Sequence, residues 1–229
     1  SEEVITGGLE DLNERCAEYA ALGAKFTKWR AVIKIGNGIP TQECIDANMK
    51  ALADYAKIVQ NNNMVPMVEP EVLMDGDHSV QSCFEATAKC LKTLFSMLNA
   101  NDVSLKGTIL KPNMVVSGTE APIQASVSEV AELTLKVLKE NVPSDLAGIA
   151  FLSGGQSDLL ATEHLDAMNK LGKLPWPLSF SYGRALQQPA LKAWMGQSDN
   201  KEAAQKAFSH RALMNKLASK GEWQNELET

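Results

Sequence analysis

The chain has 229 residues with a hydrophobic fraction of 45% and a charged fraction of 22%, which suits one sizeable packed domain, residues 1–229, rather than two. Its formal net charge of −6 argues against general nucleic-acid binding, while leaving room for a local basic pocket that takes phosphate. No apolar run approaches the roughly 20 residues that span a bilayer, so a membrane is not an expected partner either.

The opening Ser-Glu-Glu-Val-Ile-Thr-Gly-Gly has no initiator Met, no basic n-region and no apolar h-region, so we expect no secretory signal and a start within a larger product. Cys16, Cys44, Cys83 and Cys90 form no CxxC pair and no disulfide-scaffold spacing. They read as buried thiols in a reducing compartment, hence the cytoplasm. His78, His164 and His210 lie far apart without ligand spacing, so neither a catalytic metal nor a cofactor is expected.

From Trp29 onward short strand-like runs alternate with longer amphipathic stretches. The predicted strands are 29–35, 64–69, 107–112, 148–153 and 178–183, each rich in β-branched or aromatic residues and closed by Gly, Pro or polar residues. The predicted helices are 41–62, 78–98, 126–140, 157–171 and about 200–219. In the first of these, Ile45, Met49, Leu52, Ala53, Ala56 and Ile58 follow a period near 3.6, and Thr41 is placed to cap it. Repeated strand-helix units predict a parallel α/β fold, either an open doubly wound sheet or a (β/α)8 TIM barrel. No GxGxxG follows the first strand, which weakens the dinucleotide-binding version. A complete barrel needs about three strands beyond the five in view.

In a βα barrel the reactive groups stand at the carboxyl ends of the strands. The second strand delivers Glu69 and Glu71 there, the third Lys111, the fourth Ser153 with Gly154, and the fifth Gly183 with Arg184. Lys111 follows Ile109-Leu110, and partial desolvation of an amine favours the neutral form that attacks a ketone. A lysine paired with a carboxylate for structural reasons is the alternative. Glu69 and Glu71 are two apart and so share a face, where one carboxyl is available to donate a proton or simply to hold a base in place. Lys28 and Arg30 lie on one face of the first strand; they meet an anion or those glutamates, or are merely exposed at an edge. Lys28 stands too early on its strand for the carboxyl-end rule. Leu152–Ser157 is read as opening the helix that follows it, so that Ser153-Gly154-Gly155 and Gly183-Arg184 combine backbone amides, a hydroxyl and a guanidinium, as a phosphate site requires.

Six segments in order resemble the class I, Schiff-base family of fructose-bisphosphate aldolases: Phe26–Arg30 (FTKWR), Val65–Glu71 (VPMVEPE), Asp75–His78 (DGDH), Leu110–Met114 (LKPNM), Phe151–Ser157 (FLSGGQS) and Phe180–Gln187 (FSYGRALQ). The resemblance implies a (β/α)8 barrel, commonly homotetrameric, that cleaves fructose 1,6-bisphosphate reversibly into two triose phosphates without a metal. It implies that Lys111 forms the imine, that Glu69 moves protons during carbinolamine formation and dehydration, and that Glu71 is a neighbouring active-site carboxylate. Lys28 would support those steps with Arg30 beside it, and Ser153, Gly154, Gly183 and Arg184 would hold a substrate phosphate. The family places about three more strands before the FTKWR strand. They carry an aspartate that assists C3–C4 cleavage and a lysine near a phosphate, neither of which has a counterpart here. The chain is therefore expected to be the five C-terminal βα units of a barrel. A catalytically incomplete fragment, or a phosphate-binding or assembly module, stands as the alternative reading.

Overall fold

The computed structural model describes residues 2–228. Five strands, β1 (Phe26–Ile33), β2 (Val65–Val72), β3 (Ile109–Leu110), β4 (Gly148–Phe151) and β5 (Leu178–Phe180), pair in parallel in the order β1-β2-β3-β4-β5. A doubly wound sheet reverses its strand order at a switch point, whereas this sheet runs sequentially from edge to edge. That order identifies a piece of barrel wall and settles the choice the sequence left open.

Helices α1 (Leu12–Ala21), α2 (Gln42–Asn61), α3 (Val80–Ala100), α4 (Val127–Asn141), α5 (Asp158–Lys170), α6 (Arg184–Trp194) and α7 (Lys201–Ala218) complete the chain. Four of them begin at a Ser or Thr in extended conformation whose hydroxyl accepts the amide three residues on: Thr41, Ser79, Ser126 and Ser157. Each cap satisfies an otherwise orphaned amide and is worth about 1 kcal/mol. The α2 stripe predicted from periodicity is buried at Ile45, Met49, Leu52, Ala53 and Ala56, together with Tyr55 and Val59.

Strand alternation assigns the two sheet faces. On β1, Trp29, Ala31 and Ile33 are buried in the main core, while Lys28 and Arg30 are exposed on the opposite face. On β2 both faces are covered apart from the half-buried Val65, and Glu69 and Glu71 are buried. The core therefore fills the layer between sheet and helices, and the charged groups line the other side. All four cysteines are buried and free, as read from their spacing, and burial pushes the Cys90 thiol up to about 12. Among the described residues no helix is long and apolar enough to cross a membrane.

The structure moves several predicted boundaries. The first strand begins three residues earlier than Trp29, so Lys28 lies within it. The third shrinks to Ile109–Leu110, because Leu105–Gly107 closes into a 3-10 turn and Pro112 offers no amide to the ladder. Strands four and five end at Phe151 and Phe180, leaving Ser153 and Gly183 in turns. Helices α1 and α6 went unpredicted; α6 carries an internal Pro189, which disguises its pattern.

Candidate active site

The register of the sheet assembles the polar cluster. Arg30 lies opposite Glu69 and Val32 opposite Glu71, while Met67 lies opposite Ile109, two residues before Lys111. The Lys111 amide continues the ladder by donating to the Val68 carbonyl at 2.8 Å, so its side chain inherits the strand direction although the strand has formally ended. Period-two alternation then points Lys28, Arg30, Glu69, Glu71 and Lys111 to one face.

Glu69 sits at the centre. One carboxylate oxygen lies 3.2 Å from Lys111 Nζ and the other 3.3 Å from Lys28 Nζ. The Glu69 side chain is 4% exposed and that of Lys111 12%, so both lie well out of bulk water. A buried carboxylate between two amines is held by charge on both sides, and the second contact lacks hydrogen-bond alignment. The distance resolves the position of Lys28 early in its strand: its long side chain reaches toward the strand ends. Glu71 instead accepts a hydrogen bond from Arg30 Nε, and that bond raises the Arg30 pKa above its ordinary value.

The opposite wall of the cleft comes from the turns after β4 and β5. A cavity of about 210 Å³ is lined by Arg30, Glu69, Glu71, Lys111, Leu152, Ser153, Gly154, Ser181, Gly183 and Arg184. Eight of the nine site residues chosen from the sequence line this one hollow, and the ninth, Lys28, joins through Glu69. Four basic side chains thus face two carboxylates in a chain that is acidic overall. The local excess of positive charge suits an anionic ligand.

The glycine turns after β4 and β5 differ from their sequence reading in one respect. Ser157 already caps α5, so Ser153-Gly154-Gly155 is a turn ahead of the helix and does not open it. The uncapped helix terminus belongs to α6, whose N-cap is Gly183, without a side chain to satisfy its first amides. Arg184, the first residue of α6, donates through Nη2 to the Gly154 carbonyl at 2.7 Å and ties the two turns together. Gly154 has φ +58°, and a Cβ there would meet Met74 Sδ at 3.2 Å.

Sequence reasoning missed the residues that hold this framework. Asn113, in the LKPNM segment, is buried; its Oδ1 accepts the Val72 amide at 3.0 Å and its Nδ2 donates to Thr87 Oγ1 at 3.1 Å. It joins the ends of β2 and β3 to α3. The loop after β3 donates three backbone bonds to the loop after β2: Gly118 to His78, Thr119 to Met74 and Glu120 to Gly76, at 2.7–2.8 Å. A Cβ on Gly118 would lie 2.2 Å from the Gly76 carbonyl oxygen, so only glycine fits. Gln156 and His164 brace the Ser153 turn from behind. A polar side chain beside a glycine turn was the available signal for Gln156; His164 gave none. Among the described residues, no group of three or more His, Cys, Asp or Glu is arranged to hold a metal.

Successive parallel βα units that bring a lysine, a carboxylate shared between two amines and two glycine turns together at the strand ends define a barrel-type cleft. Comparison with known proteins narrows this class. The family model for glycolytic class-I fructose-bisphosphate aldolase matches residues 1–229, and the chain belongs to that family. It is 54% identical over 222 residues to a probable class 1 fructose-bisphosphate aldolase of Xanthomonas campestris, covering 96% of this chain and 66% of that protein. It is 45% identical over 227 residues to cytosolic fructose-bisphosphate aldolase 4 of Arabidopsis thaliana, covering 99% of this chain and 58% of the relative. A fructose-bisphosphate aldolase from Plasmodium falciparum, solved with TRAP and a small-molecule inhibitor, superposes with a TM-score of 0.97 at 44% identity. That match covers 98% of this chain and 65% of the solved one. The chain spans about two thirds of the length of the relatives it matches.

Proposed function

We propose that this chain carries the imine-forming and phosphate-binding parts of a site for reversible cleavage of fructose 1,6-bisphosphate into dihydroxyacetone phosphate and glyceraldehyde 3-phosphate. The observation that carries the reading is the Glu69 carboxylate, shared at 3.2 and 3.3 Å between Lys111 and Lys28 beside an anion-binding turn. Neutral Lys111 adds to the ketose C2 carbonyl and gives a carbinolamine; loss of its hydroxyl as water leaves a protonated imine. Glu69, in contact with both amines, is placed to carry the protons of these two steps, with Lys28 as the group that exchanges with it. The imine then accepts the electron pair of the C3–C4 bond as it breaks, and the C4 hydroxyl releases its proton to a base. The family resemblance assigns that base to an aspartate with no counterpart among these residues, so imine formation tests the reading more directly than turnover.

Arg30, paired with Glu71, and Arg184, tied to Gly154, stand on two sides of the cleft as partners for separate phosphates. The relatives' names support sugar phosphates as ligands, and that of the Arabidopsis protein supports a cytosolic location. Homotetrameric assembly belongs to the same reading and is checked by sedimentation.

Incubation with dihydroxyacetone phosphate, borohydride reduction and peptide mass mapping should place an adduct on Lys111. An unmodified Lys111 in a folded sample would sink the proposed role. An adduct without cleavage of fructose 1,6-bisphosphate would favour the second reading, an aldolase-derived piece that binds and forms the imine without completing the reaction. Any turnover should survive excess chelator.

A further inference from the structure

We infer that His164, on α5, is a positioning residue for the phosphate-binding turn, acting through Gln156 on Ser153; this rests on the reading of that turn given above. Ser153 and Gly154 line the cleft, and the Ser153 carbonyl accepts both the Gln156 amide at 3.1 Å and Gln156 Nε2 at 3.2 Å. Behind the glutamine, its Oε1 lies 2.6 Å from His164 Nδ1. The orientation of the glutamine amide follows from these contacts. If its oxygen faced Ser153, two acceptors would meet at hydrogen-bond distance, so the NH2 group faces the carbonyl and the oxygen faces the histidine.

An amide oxygen only accepts, which makes His164 Nδ1 the donor and fixes the neutral Nδ1–H tautomer. His164 Nε2 is then a bare acceptor in a buried place without a partner. Burial lowers the His164 pKa to about 4, in keeping with that tautomer at neutral pH. The chain His164 → Gln156 → Ser153 thus runs in one direction from α5 to the turn. Gln156 Nε2 also lies 3.6 Å from Met114 Sδ, and the Gly155 amide donates to Met74 Sδ at 2.8 Å. The turn is held by these contacts before any ligand arrives, and preorganisation of this kind appears as ligand affinity.

The test compares borohydride trapping at Lys111 by dihydroxyacetone phosphate and by dihydroxyacetone, which lacks the phosphate. In His164→Leu the half-saturating concentration of the phosphorylated ketone should rise by about tenfold, as expected for misplacing hydrogen bonds to a charged group, with the unphosphorylated ketone unaffected. The trapping rate at saturation should stay near wild type, because the reacting amine is untouched. His164→Asn, which keeps a donor near the Nδ1 position, should restore the wild-type preference. Gln156→Met should reproduce the loss, and combining it with His164→Leu should add little, since both break one chain. If His164→Leu fails to fold, Gln156→Met carries the test alone. An unchanged preference in both single variants, or a loss equal for the two ketones, overturns the assignment. A wild-type chain that traps neither ketone overturns the Schiff-base reading itself, a result distinct from either of these.

Discussion

Glu69 is the residue on which the proposed chemistry converges, because among the described residues it is the carboxylate paired with both Lys28 and Lys111. Replacing it with Gln keeps the shape and removes the charge and the proton-carrying capacity. We expect Glu69→Gln to slow imine trapping by about 100-fold, the lower end of what general acid-base catalysis supplies, while circular dichroism stays unchanged. Lys111→Met should abolish trapping altogether. At the same scale, His164 links the site to stability. Its pKa is lowered to about 4 from 6.5, so the unfolded chain binds a proton that the folded chain refuses across that interval. Its contribution to stability is therefore full above pH 6.5 and is lost as pH falls from there toward 4. Between pH 7 and pH 5 the wild type should lose about 2 kcal/mol from this group, a loss that His164→Asn should remove in urea melts at the two pH values. His78, also lowered by burial, adds in the same direction and is common to both proteins.

Elements act by fixing where the strand ends stand. The loops after β2 and β3 interlock through Gly118, and a Cβ there meets a backbone carbonyl at 2.2 Å, which no rotamer change relieves. Gly118→Ala should destabilise the chain by about 2 kcal/mol or more and also weaken imine trapping, because the ends of β2 and β3 carry Glu69, Glu71 and Lys111. Ser126→Ala is the matched control. It removes a helix cap away from the cleft, so it should cost about 1 kcal/mol in a denaturant melt and leave trapping intact. The helices with strong periodicity and a Ser or Thr cap were legible to within a residue or two. Helix α6 was not, since Pro189 interrupts its interior and its N-cap is a glycine that reads as loop. The glycine turn after β4 therefore reads from sequence as the start of α5, where Ser157 in fact occupies the cap.

For the whole molecule, charge separation is the main property. A chain of net charge −6 gathers Lys28, Arg30, Lys111 and Arg184 around one cleft, where Glu69 and Glu71 line the wall and Asp75 also acts on Arg30. Affinity for dihydroxyacetone phosphate should therefore fall as salt is raised, whereas that for dihydroxyacetone should not. Trapping curves at low and high sodium chloride measure both. An equal salt dependence would place the positive charge elsewhere than on the phosphate.

The sequence by itself determined the alternation of strands and helices, the motif order that marks the family, and nearly all the cleft residues. Each of these is a local property: hydrophobic period, a cap, or a residue type at the end of an apolar run. Tertiary structure alone decided three things. Sequential strand order chose barrel wall over doubly wound sheet, because pairing joins segments far apart in the chain. Register and side-chain length brought Lys28 within 3.3 Å of Glu69, although its place in β1 is early. Packing behind the glycine turn made His164 a neutral donor through Gln156, since only the Ser153 carbonyl on the far side fixes which way that amide points.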